Sequence, residues 1–139
     1  MVEVVWKNEM AFEVHAGNKT SFMLDAAPES GGHGLGPRPL EALLGALGGC
    51  TGMDVISILT KKRQKVTSYK LQIEGDRVPE GEMPRPYTSI RVKHILKGED
   101  LDPISVQRAV ELSDQKYCHV MATLRTKVNI TTSWEVLKN

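Results

Sequence analysis

The sequence predicts a single α+β domain, and three observations carry that prediction. Short stretches of alternating apolar and polar residues lie on both sides of one long apolar run. That run, Leu40 to Leu59, is too long for a strand. The resulting order, β-β-β-α-β-β-α-β, contains neither a repeating β-α unit nor an internal duplication, so a parallel sheet is not expected. A chain of 139 residues holds one hydrophobic core, and 1–139 is read as one domain.

The first strand is "MVEVVWK", where Val2, Val4 and Trp6 alternate with Glu3 and Lys7 and Val5 interrupts the polar side. "AFEVHA" and "TSFML" follow, separated by "GNK", which suits a hairpin turn. The Gly- and Pro-rich stretch Ala27 to Pro39 is a loop, and Pro39 suits the first turn of the helix that follows. That helix is expected from Pro39 to about Lys62, with Lys61, Lys62 and Arg63 set against the negative end of its dipole. Tyr69, Leu71 and Ile73 alternate with Lys70, Gln72 and Glu74 in the next strand. Its return strand carries Ile90, Val92 and Leu96 after the loop "GDRVPEGEMPRP". His94 falls on the apolar side and is read as a packed histidine. Asp102 caps a second helix with Pro103 in its first position, and Val106, Ala109, Val110 and Tyr117 form its one apolar face. This helix is expected to cover the sheet while the first is enclosed. Val128, Ile130, Trp134 and Val136 alternate in a last strand.

Charge and composition exclude several functions. A net charge of +1 with 25% charged residues gives no reason to expect a nucleic-acid partner, and "KKRQK" reads as a helix end. Glu41 and Asp54 inside the apolar run, with its glycines, favour a core helix over a membrane span. No basic, apolar and small-residue export pattern opens the chain, so the expected compartment is the cytosol. There, two cysteines are read as redox-active or simply buried, not as a structural staple.

The chemistry centres on "LEALLGALGGCTGMDV". Gly45, Gly48, Gly49 and Gly52 fall at i, i+3, i+4 and i+7 and share one stripe. Each costs a helix interior about 0.5–1 kcal/mol against alanine, so a close approach along that stripe is expected. Cys50 lies about 140° round from it, beside Leu43, Ala46, Leu47 and Asp54. A lone cysteine in an apolar helix is ordinarily a small hydrophobe. A second, Cys118 in "SDQKYCHV", changes the reading: if its helix packs on the central one, the two sulfurs can meet. Such a pair suits peroxide chemistry, in which a thiolate becomes a sulfenic acid and the second thiol condenses with it. The attacking sulfur needs a cationic neighbour, for which Arg38, His33 and His119 are candidates; Asp54 has the wrong charge.

"PRPLEALLGALGGCTGMDV" together with "YCHVMATL" resembles the OsmC/Ohr family of organic hydroperoxide reductases and osmotically induced proteins over nearly the whole chain. The resemblance implies antiparallel sheets around a central cysteine-bearing helix, and an intertwined homodimer with its active sites at the subunit interface. The glycine stripe would then let paired helices approach. It also implies Cys50 as peroxidatic nucleophile, Cys118 as resolving thiol, no cofactor, and a dithiol reductant such as a lipoyl group. The peroxidase branch places a glutamate directly after the proline, where this chain has Leu40 and then Glu41. That branch also draws an arginine from its N-terminal strands, whereas no arginine precedes Arg38 here. Arg38 and Glu41 are therefore the candidates for those two roles.

Other readings remain beside this one. The dimer pocket could hold an apolar ligand or a persulfide without turnover, the cysteines acting as anchors or redox sensors. A zinc site would draw on Cys50, Cys118, His119 and His33, without the spacing of a known zinc motif. "GGHGLG" lacks the ending of a phosphate-binding loop, and no serine lies in a G-x-S-x-G elbow.

Overall fold

A computed structural model describes residues 1–126 and 130–133. Strands β1 (Glu3–Asn8), β2 (Ala11–His15) and β3 (Ser21–Leu24) form an antiparallel meander in that order. A loop leads from it into α1 (Pro39–Lys61), and β4 (Lys65–Arg77) and β5 (Tyr87–Glu99) form one long antiparallel hairpin. The expected α+β architecture, antiparallel sheets with a long central helix, is the observed one.

The loop before α1 is organised by Asp25, which is 3% exposed. Its carboxylate accepts backbone N–H bonds from Ala26, His33 and Leu35, so the amides of "GGHGLG" already serve an internal anion. Its glycines answer to space: a Cβ on Gly32 would lie 1.7 Å from the Ala26 carbonyl oxygen. Helix α1 then begins with Arg38 as N-cap and Pro39 in the first turn, and the Glu41 carboxylate accepts the Arg38 backbone N–H at 2.9 Å. It ends where Arg63 takes a left-handed conformation, φ 57°, without the glycine usual there.

Both hairpin strands, 13 residues each, are longer than the alternation suggests. Gly75 lies inside β4, not in the loop, because the Tyr87 ring occupies the space a side chain would need; a Cβ there would be 2.4 Å from the ring. The Tyr87 hydroxyl donates to the Leu40 carbonyl at 3.4 Å, tying β5 to the start of α1.

Asp102 caps α2 (Pro103–Leu112), accepting from the N–H groups of Ile104 and Ser105. The second helix does not run on through Tyr117. A π-helical turn, Ser113–Tyr117, follows α2, and Cys118 then caps a further helix, α3 (His119–Arg125). Tyr117 is exposed, so the apolar face of α2 is Val106, Ala109 and Val110.

Two apolar clusters hold the hairpin, α1 and the helices after it together. Val55, Leu59 and Ala109 pack with Val66, Tyr69 and Leu96 at one end; Leu47, Cys118 and Met121 pack with Ile73, Ile90 and Val92 at the other. Helix α1 is long and apolar enough to cross a membrane by length and composition, yet Leu47, Thr51, Val55 and Leu59 are buried against its neighbours. It is not enclosed within one chain, however. Gly45, Gly49, Met53 and Ile56 remain exposed, because the hairpin reaches only the Gly48 and Gly52 edge of that side and α2 packs elsewhere on the helix. The expected last strand, Val128 to Val136, falls on residues 127–129 and 134–139, outside those described, and Ile130 to Ser133 between them form no regular element.

Candidate functional site

Cys50 and Asp54 stand one turn apart on the same face of α1. Cys118 reaches that face because the π-helical turn adds a residue to the end of α2, its own N–H bonding the Ser113 carbonyl at 2.9 Å. Arg125 pins the turn from the far side, donating to the Asp114 carbonyl at 2.9 Å and to its carboxylate at 2.8 Å. The Cys50 sulfur, the Cys118 sulfur and an Asp54 carboxylate oxygen consequently lie within 4.8 Å of one another. Cysteines remote in sequence do meet, and both are free thiols.

Cys118 is 3% exposed and packs among Leu47, Met121 and Val120, whereas Cys50 and Asp54 are half-buried. Burial pushes the Cys118 thiol up, and the nearby Cys50 and Asp54 push the same way. The Met121 N–H, donating to its sulfur at 3.4 Å, pulls against them.

A buried hydroxyl chain fixes the acid. The Ser113 hydroxyl, 0% exposed, donates to the Asp54 carboxylate at 2.9 Å and lies 2.7 Å from the Thr51 hydroxyl, itself 1% exposed. Ser113 has one proton, and it goes to the carboxylate, so Thr51 is the donor to Ser113. Nothing in the alternation of polar and apolar residues signals this chain. Thr51 and Ser113 are small residues whose partners lie on another element, and in the sequence Asp54 shows only a charge of the wrong sign for a thiolate.

The cations expected near the sulfur are engaged with other residues or stand outside the cluster. Arg38 is engaged with Glu41 at the start of α1, each exposed, and about 14–18 Å of helix separates those two from Cys50. His33 pairs with Glu9 beside the meander, and His119 is exposed outside the sulfur cluster. Among the described residues no Lys, Arg or His forms an ion pair with Asp54.

A cavity of about 450 Å³ opens between α1, β5 and α3. Leu47 and Met121, which pack on Cys118, line it with Ile90, Val92 and Leu124, but neither cysteine does. On the other side of α1 the glycines line a groove of about 560 Å³ with Met53, Ile56 and Leu71. Leu71 and Ile73 cover Gly52 and Gly48, while Gly45 and Gly49 face open space. His94 is half-buried as a packed residue, its Nδ1 2.6 Å from the Tyr69 hydroxyl and its ring stacked on Tyr69.

Comparison with known proteins gives one consistent result. Residues 32–133 match the OsmC-like protein family. Protein YhfA of Escherichia coli strain K12 is 45% identical over 101 residues, 73% of this chain and 74% of that protein. A hypothetical protein from Aquifex aeolicus VF5 has the same fold with a TM-score of 0.74 and 32% identity, covering 99% of this chain and 95% of the other. An organic hydroperoxide resistance protein OsmC from Legionella pneumophila, also described as a predicted redox protein, shares the fold at 12% identity and a TM-score of 0.64, over 90% and 88% of the two chains.

Proposed function

The chain belongs to the OsmC-like protein family, and from that premise we propose that it is a thiol-dependent peroxidase for organic hydroperoxides. The observation that carries the proposal is the sulfur pair: Cys50 and Cys118 within 4.8 Å, one half-exposed and one buried. In the first step the Cys50 thiolate attacks the outer peroxide oxygen and the O–O bond breaks. Cys50 becomes a sulfenic acid, and the leaving alkoxide takes a proton to give the alcohol. In the second step the Cys118 thiolate attacks the Cys50 sulfur, an S–S bond forms, and hydroxide leaves and takes a proton as water. Bonding needs the sulfurs to close to about 2.05 Å, a movement of side chains on α1 and at the start of α3. A dithiol, of the lipoyl type, then exchanges with the disulfide and returns both thiols, as a reducing compartment such as the cytosol would supply. The name of the Legionella protein supports the substrate class.

The same reading includes a second copy of the chain. The meander packs on neither α1 nor the long hairpin to any extent, and leaves Trp6 62% exposed along with Phe12 and Phe22. The glycine-lined groove, with Met53 75% exposed, is the place for a partner helix. Arg38 and Glu41 lie about three turns from Cys50 in their own chain, so a catalytic role for them runs through the partner's cleft.

Stopped-flow mixing of reduced protein with one equivalent of cumene hydroperoxide tests the chemistry. Two thiols per chain should disappear and a Cys50–Cys118 peptide should form. Cys118→Ser should stop at a sulfenic acid that dimedone traps, and Cys50→Ser should consume no peroxide. Consumption no faster than that of free cysteine would remove the proposal. A non-catalytic reading, with the pocket holding an apolar ligand and the cysteines sensing oxidants, is favoured by one observation: no cation pairs with the sulfur–carboxylate cluster among the described residues. It predicts that Cys50→Ser retains ligand binding.

A further inference from the structure

We propose that the reduced Cys50–Asp54–Cys118 cluster binds a thiophilic divalent cation such as Zn2+, and that the bound ion shields the sulfur pair from peroxide. Binding stands without the peroxidase reading; the shielding rests on it.

The argument begins with the donor set. Two sulfurs and one carboxylate oxygen converge within 4.8 Å. Zinc bonds of about 2.3 Å to sulfur and about 2.0–2.2 Å to oxygen place tetrahedral ligands about 3.5–3.8 Å apart, so side-chain shifts of about 1 Å complete the geometry. Thiolate donors select zinc-like ions over Mg2+ or Ca2+. Two of the three ligands are one turn apart on the rigid middle of α1, and the third sits where the π-helical turn delivers it.

The surroundings fit an ion as well. Ser113 donates to one carboxylate oxygen of Asp54 and holds the group in orientation, the arrangement by which outer partners commonly aim metal ligands. No described cation already neutralises Asp54. Cys50 and Asp54 are half-buried, which leaves a fourth position open to water or to a small ligand. The ligand set differs from the one suggested by sequence: Asp54 takes the place of His119 and His33, which lie outside the cluster. On binding, each thiol gives its proton to solvent and no electrons move. The Cys50 electron pair is then engaged by the metal and is withdrawn from attack on an O–O bond.

Cobalt titration of the reduced full-length protein tests this, with zinc as competitor. The expected result is one Co2+ per chain, sulfur-to-cobalt charge transfer in the near ultraviolet, tetrahedral visible bands, and displacement by Zn2+. Cys118→Ser should halve the charge-transfer intensity. Asp54→Asn keeps an acceptor for Ser113 and should weaken zinc binding about tenfold or more, while a thiol reagent still counts two free cysteines and circular dichroism matches wild type. The disulfide form should not bind. In the peroxide arm, zinc-loaded protein should oxidise at least tenfold more slowly, and a chelator should restore the rate. Absence of saturable one-per-chain binding, unchanged affinity in Asp54→Asn, or binding by the disulfide form would each overturn the site. Zinc-loaded protein that oxidises as fast as the free form would overturn the shielding. Cobalt binding by a protein inert to cumene hydroperoxide would instead sink the peroxidase reading and leave the metal site standing.

Discussion

Ser113→Ala probes the polar chain beneath the sulfur pair. The Ser113 hydroxyl receives a bond from Thr51 at 2.7 Å and gives one to Asp54 at 2.9 Å, and neither hydroxyl sees solvent. Alanine removes both bonds at once. The Thr51 hydroxyl is then buried without a partner, at about 1–3 kcal/mol, whereas the half-buried Asp54 recovers much of its loss from water. The sum is about 2–4 kcal/mol, a fall in melting temperature on the order of 10 °C for a domain of this size. Urea unfolding followed by circular dichroism measures it, and an unchanged m-value would locate the loss in the native state. A second variant makes the reasoning refutable. Thr51→Val/Ser113→Ala replaces both hydroxyls with apolar groups, so no orphan remains and the double variant should be no less stable than Ser113→Ala alone. A loss below about 1 kcal/mol for Ser113→Ala, or strict additivity in the double variant, would show that the two hydroxyls do not form the chain described.

The three backbone N–H groups on Asp25 hold its carboxyl below the usual 3.8. The folded state therefore binds fewer protons than the unfolded one near that pH. Its stabilisation should be complete above about pH 4 and lost as pH falls through the lowered value; unfolding at pH 2.5–5 should show a slope that Asp25→Asn flattens. Burial pushes the His94 ring below 6.5, against the opposing pull of Asp114, so stability should fall as pH drops below 6.5. A His94→Gln variant, which can still bond Tyr69, should lack that slope, and a His94 titration at or above 6.5 by NMR would contradict the assignment. Leu59→Ala, at a fully buried position against Ala109, should cost about 2–5 kcal/mol in urea unfolding. Met53→Glu on the exposed face of α1 should leave monomer stability intact and abolish dimers in light scattering if the glycine-lined groove is the partner surface.

Elements whose residues alternate or recur by themselves were legible in the sequence. The meander and the hairpin show in their alternation, although β1 is exposed along its whole length within one chain. Helix α1 shows as one long apolar run, and Pro39, Asp102 and Pro103 mark helix starts by chemistry confined to a few neighbours. What the sequence concealed depends on distant partners. Gly75 signals a loop until the Tyr87 ring is seen to fill its place. The helix after Asp102 looks continuous because nothing in "ELSDQKYC" excludes another α-turn; the interruption is held by Arg125 bonding back to Asp114.

The candidate site divides along the same line, and its hidden part changes the chemistry. Both cysteines announce themselves as rare residues, Cys50 inside an apolar run, and their meeting follows once α3 packs on α1. Asp54 was visible too, but judged by charge alone it is only an obstacle to a thiolate. Held by Ser113 and unopposed by a described cation, it turns the two sulfurs into a three-donor set. A guanidinium at that point would favour one thiolate and rapid attack on peroxide; a carboxylate favours whatever cation brings both sulfurs under control. Zinc affinity and peroxide reactivity should therefore move in opposite directions when the acid is neutralised. Asp54→Asn should release zinc and, with its negative charge gone, raise the oxidation rate of Cys50 in metal-free protein. A variant that lost both together would show that Asp54 serves only the packing of the cluster.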